Sequence, residues 1–89
     1  MSTRLYAGNL PLSVTAATLA TKFAKFGKVM SVTLDRNAVT GVSRRGAFVE
    51  MLNARDAMLA IAGLNFADFD GRLMSVYEAI APLPLPVTK

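Results

Sequence analysis

Apolar and polar positions alternate with period two at the start of the chain. In Arg4-Leu5-Tyr6-Ala7-Gly8, Leu5 and Ala7 share one face, and Arg4, Tyr6 and Gly8 share the other. Pro11 follows Asn9-Leu10 and closes this strand, because proline has no N–H to give to a ladder. The period then changes. Leu19, Phe23 and Phe26 recur at helical spacing, which predicts an amphipathic helix over 16–26, with Thr15 as N-cap and Gly27 as its stop. Residues 29–35 return to a strand rich in β-branched side chains, with Val32 and Leu34 facing one way and Thr33 and Asp35 the other.

Residues 36–43 hold Asn37, Thr40 and Gly41 and read as a connecting loop. A third strand follows over 45–51, then a second helix over 54–64 capped by Asn53. Its Ala57, Ala60, Ile61 and Leu64 form a small-residue stripe suited to close packing on a sheet. Asp70-Gly71 predicts a turn, and residues 73–79 a fourth strand. If Met74 and Val76 are inward, then Leu73, Ser75 and Tyr77 are outward.

The order is βαββαβ, which predicts an α+β fold: a two-layer, ferredoxin-like sandwich with both helices on one face of a four-stranded antiparallel sheet. The other face stays open. Residues 1–80 form the expected domain. Residues 81–89 form a Pro/Leu-alternating tail, expected to be flexible and to favour polyproline II over helix.

Composition narrows the function. A chain of 89 residues with 53% hydrophobic and 18% charged positions can fold as one domain. It has no cysteine and no histidine, which excludes disulfides, thiolate metal sites and the commonest catalytic bases. No metal or other cofactor is expected. The N-terminus has no basic stretch followed by a long apolar run, and no stretch approaches the length of a membrane span, so a cytoplasmic protein is expected. A formal net charge of +4 favours an anionic partner, although many small domains without one are as basic.

Two segments carry a resemblance. Leu5-Tyr6-Ala7-Gly8-Asn9-Leu10 resembles the RNP hexamer of the RNA-recognition-motif family, and Arg44-Arg45-Gly46-Ala47-Phe48-Val49-Glu50-Met51 resembles its octamer. Either match alone is weak; both together, each on the appropriate strand, are strong. Phe26-Gly27-Lys28-Val29, Thr40-Gly41 and Asp70-Gly71-Arg72 are also similar to family segments. The resemblance covers residues 4–79 and resembles compact single-domain bacterial members. It implies single-stranded RNA binding on the open face, with the first and third strands adjacent at the sheet centre.

The residue types suit that role on physical grounds. A ring standing off a rigid sheet gains about 1–3 kcal/mol per stacked base, with little sequence preference. Tyr6 and Phe48 both project to the open face by the period-two count, as does Arg4. Arg44 starts the third strand on the same face, placed for a phosphate. Outward Glu50 repels phosphate and faces a base edge or solvent. Lys22, Lys25 and Lys28 read as a solvated face, while Asp35, Asp68 and Asp70 read as turn or strand-end residues.

Two positions depart from the family pattern. The octamer's second position, usually glycine, is Arg45, and its third, usually aromatic, is Gly46. One stacking ring is therefore expected to be missing, at a loss of roughly ten-fold or more in affinity. Arg45, by charge or guanidinium stacking, and Tyr77, as a third ring, are the expected compensations. Restoring the pattern with Arg45→Gly and Gly46→Phe is then expected to tighten binding.

Three function classes compete. The leading expectation is a single-stranded RNA binder of modest affinity and low selectivity, with single-stranded DNA as a related ligand. The second is a protein-interaction module, or a self-associating one, using the sheet face or the tail. The third is an enzyme. Acylphosphatase-like proteins share the element order but need an arginine-bearing loop after the first strand, where this chain has Asn9-Leu10-Pro11-Leu12-Ser13. With no catalytic residues identified, catalysis is not expected.

Overall fold

The computed structural model describes residues 2–79, so the expectations for the 81–89 tail lie outside the described residues. The elements run β1 (Thr3–Gly8), α1 (Ala16–Ala24), β2 (Val29–Arg36), β3 (Ser43–Met51), α2 (Ala54–Leu64), β4 (Asp68–Phe69), β5 (Arg72–Leu73) and β6 (Ser75–Glu78). Strands β2-β3-β1-β6 form one four-stranded sheet, and β4 and β5 form a separate short hairpin. All pairs are antiparallel. The chain adopts the ferredoxin-like βαββαβ sandwich, with β1 and β3 at the sheet centre.

The core lies between the sheet and the two helices. Leu5 and Ala7 of β1, Ala47, Val49 and Met51 of β3, and Val76 of β6 are buried against Leu19 and Phe23 of α1 and Ala57 and Ala60 of α2. The alternation in these strands thus has one cause: every second side chain enters this layer. The small side chains at 57 and 60 admit α2 close to the sheet, and Ile61 and Leu64 pack at its margin.

Local chemistry sets the ends of the elements. The Thr15 hydroxyl accepts from the Thr18 backbone N–H at 3.1 Å and caps α1. That helix ends at Ala24 rather than continuing to Phe26, with the Phe26 N–H turning back to the Phe23 carbonyl. Asn53 precedes α2 in extended conformation but makes no side-chain cap bond; its amide donates to Asp56 at 3.3 Å.

Besides a register shift that leaves Met30 of β2 without a partner on β3, two features escape the alternation. The expected strand over 73–79 is split: Leu73 pairs with Asp68 in the β4–β5 hairpin, and the sheet strand begins at Ser75. Asp70 and Gly71 both take positive φ, 53° and 87°, the mirror-image geometry that closes two-residue hairpins. The second feature is a bulge in β3. Arg36 pairs with Ser43 and Asp35 with Gly46, so Arg44 and Arg45 have no ladder partners on β2.

Candidate nucleic-acid interface

The face opposite the helices carries an ordered grid of outward side chains. The pairing aligns Thr33, Phe48, Tyr6 and Tyr77 in one row across β2, β3, β1 and β6. On one side lies the row Ser31, Glu50 and Arg4; on the other, Asp35 is paired with Gly46 and Gly8 with Ser75. The middle row is aromatic. The Tyr6 ring centroid is 5.0 Å from that of Phe48 in an edge-on arrangement, and 5.5 Å from that of Tyr77 in a tilted one. Such edge and tilted contacts suit the ring quadrupoles and leave ring surface turned outward. Tyr77, at 54% exposure, is the most accessible, and Phe48 and Tyr6 are half-buried.

Beside Phe48 lies a polar cleft of about 180 Å³ lined by Arg4, Ser31, Thr33, Phe48 and Glu50. The Arg4 guanidinium carbon is 5.9 Å from the centre of the Phe48 ring, within cation–π reach. Glu50 lies across the ladder from Arg4 and accepts from the Ser2 hydroxyl at 2.6 Å. Arg4 and Glu50 thus share the cleft, which limits the net field there.

The Tyr6 hydroxyl donates to the Asp35 carboxylate at 3.0 Å, across the glycine row. Burial, this hydrogen bond and the adjacent carboxylate charge together push the phenol up to about 12. Asp35 also lies 3.9 Å from the Arg44 guanidinium, which leaves most of the Arg44 side chain exposed. By sequence alone Asp35 is a strand-end residue. Its outward face was visible from the alternation, but its register opposite Gly46 was not, because the bulge sets it.

Position 46 carries no ring, as expected, and the Tyr6 phenol leans over it. A Cβ placed at position 46 would lie 1.9 Å from the Tyr6 hydroxyl and 2.4 Å from its ring carbon Cζ. Tyr6 therefore already occupies the space where a ring at 46 would begin. A side chain at position 46 would require the Tyr6 phenol to swing aside, so a ring there comes with a new placement of Tyr6 and the loss of its contact with Asp35.

Arg45 has a separate explanation. Its φ is 61°, in the left-handed region that glycine enters freely and side chains enter at a cost of about 1–2 kcal/mol. Its N–H donates to the Ser43 hydroxyl at 2.9 Å, and its guanidinium lies 3.4 Å from the Leu10 carbonyl in the loop after β1. The side chain is thus turned towards that loop, away from the aromatic row. Outside the grid, Asn9 at φ 58° donates to the Leu73 carbonyl, and Arg72 donates to Asn9 in return, which ties the end of β1 to the β4–β5 hairpin.

Known proteins share this fold. Residues 5–75 match the RNA recognition motif family. RbpF of Nostoc sp., named as a candidate RNA-binding protein, is 39% identical over 84% of this chain and 71% of its own length. A chloroplastic RNA-binding protein of Arabidopsis thaliana is 37% identical over 85% of this chain, but the match spans only 26% of that larger protein. Among solved structures, RNA Binding Protein PG1 superposes with a TM-score of 0.84 at 34% identity, covering 92% of this chain and 99% of its own. One chain of the Sxl-lethal protein/RNA complex gives 0.78 at 35% identity, covering 86% of this chain and 47% of that one. The two motif strands at the sheet centre, the open aromatic face and these matches together lead to one conclusion: the chain belongs to the RNA recognition motif family.

Proposed function

We propose that the chain binds single-stranded RNA by stacking bases on the row formed by Phe48, Tyr6 and Tyr77. The observation that carries this reading is the contiguity of the three rings on the sheet face opposite the helices. Family membership and RNA-binding relatives support RNA as the ligand class. Each stacked base contributes about 1–3 kcal/mol, and every base has a π-face, so affinity is modest and sequence selectivity low.

The phosphates run past the exposed guanidiniums of Arg44 and Arg4, while Asp35 and Glu50 discourage the backbone from crossing directly above them. The cleft beside Phe48 offers the Ser31 and Thr33 hydroxyls and the Glu50 carboxylate to the edge of a stacked base. Arg45 contributes charge from the side, with its guanidinium held by the Leu10 carbonyl.

Titration with a pool of short random-sequence single-stranded RNA tests this. Amide shifts are expected to concentrate at Tyr6, Phe48 and Tyr77. Affinity should fall with salt along a slope of about −1.4 to −2.8, as expected for roughly two to four neutralised phosphates. Shifts confined to the helices would reject the reading.

A further inference from the structure

We infer that Asp35 is a positioning residue for base stacking: its carboxylate holds the Tyr6 phenol over a floor made by Gly46 and Gly8, so that Tyr6 fills the place of the absent third ring. The inference rests on the stacking function proposed above and adds a residue to it. Asp35 lies outside both sequence motifs, on β2, two strands from Tyr6.

Three observations carry it. The Tyr6 hydroxyl reaches across β3 to the Asp35 Oδ2 at 3.0 Å. The path it crosses is free only because position 46 has no side chain, since a Cβ there would lie 1.9 Å from the hydroxyl. At position 8 a Cβ would lie 3.3 Å from the Tyr6 Cε2, so the second glycine gives the same edge of the ring its room nearer the backbone. The bulge at Arg44-Arg45 completes the arrangement by bringing Asp35 opposite Gly46 and the Arg44 guanidinium within 3.9 Å of the Asp35 Oδ1.

The consequence for binding is preorganisation. A tyrosine free to change rotamer must be ordered when a base stacks on it, and a tethered one is ordered beforehand. Asp35 has an opposing effect through its negative charge, which repels phosphate. The two effects separate chemically. Asp35→Asn removes the charge but keeps an oxygen acceptor for the phenol, whereas Asp35→Ala removes both.

The test compares these variants, checked for folding by circular dichroism, with the same random-sequence RNA pool. Asp35→Ala is expected to bind about three- to ten-fold more weakly than Asp35→Asn, the range that ordering one side chain implies. A spectroscopic reading needs no RNA. In a Tyr77→Phe background Tyr6 is the sole tyrosine, because the chain has 2. Its titration, near 12 with Asp35 present, should fall in Asp35→Ala by the part that the hydrogen bond and the carboxylate charge supply, while burial, the larger cause, keeps it raised. Equal RNA affinities for the two variants would overturn the positioning role while leaving stacking intact. An unaltered chain that binds no RNA would overturn stacking, and the positioning role with it. A phenol titration unmoved by Asp35→Ala would remove the tether whatever the RNA result.

Discussion

The two halves of β3 differ in a way that explains most of the molecule. From Ala47 to Met51 the strand keeps strict alternation: Ala47, Val49 and Met51 are fully buried, while Phe48 and Glu50 face outward, each with a partner on both neighbouring strands. From Ser43 to Gly46 it bulges, takes a left-handed residue at Arg45 and pairs with β2 only at its two ends. The regular half holds the core together and mounts one ring of the aromatic row. The irregular half releases Arg44 towards solvent, turns Arg45 to the loop after β1, and brings Asp35 within reach of Tyr6. Stability is concentrated in the first half and the shape of the candidate site in the second.

Substitutions can break this contrast. Met51→Ala, in the regular half, should cost the most, about 2–5 kcal/mol in urea unfolding, because the site is fully enclosed. A loss under about 1 kcal/mol would mean that the core collapses around the cavity more readily than this packing implies. Gly46→Phe, in the irregular half, should cost about 0.5–1.5 kcal/mol by pushing the Tyr6 phenol off Asp35, and should weaken RNA binding. Tighter binding would instead restore the idea of a vacant ring site.

Arg45→Gly should go the other way. Relieving a side chain at φ 61° is expected to raise stability by up to about 1 kcal/mol, since the gain is partly offset by the freer unfolded chain and the lost contact to Leu10. A fall in the urea midpoint would show that the guanidinium contact outweighs the backbone cost.

The smallest effect is on pH dependence. The folded chain holds the Tyr6 proton up to about 12, whereas the unfolded chain releases it near 10.0. Below the lower value both states are protonated and the contribution is fully present. Between the two values only the unfolded state releases the proton, so stability declines as pH rises. Tyr6→Phe should remove that component of the slope, as read from urea midpoints across the window.

The same contrast marks what was legible in the sequence. Strand faces, helix stripes and the outward rings at 6, 48 and 77 follow from periodicity, because one buried layer imposes it, and the Thr15 cap follows from its hydroxyl. The β4–β5 hairpin did not, because two-residue strands are too short to show a period. The bulge did not either. Arginine by type carries no sign that residue 45 is left-handed; the sign lay in the family pattern, which usually has glycine at that position. The alternation thus puts Asp35 on the open face but cannot give its partner, and it cannot show that the Tyr6 phenol leans over Gly46.

The central claim is that the aromatic row binds RNA while the opposite face of the sheet maintains the fold. Its most direct test is the affinity of the Tyr6→Ala/Phe48→Ala double variant for short single-stranded RNA, measured alongside its circular dichroism spectrum. Removing two stacks should lower affinity by at least about 30-fold, taking the low end of the per-base range, with the folded spectrum retained. A folded double variant that binds RNA as tightly as the unaltered chain would contradict the account.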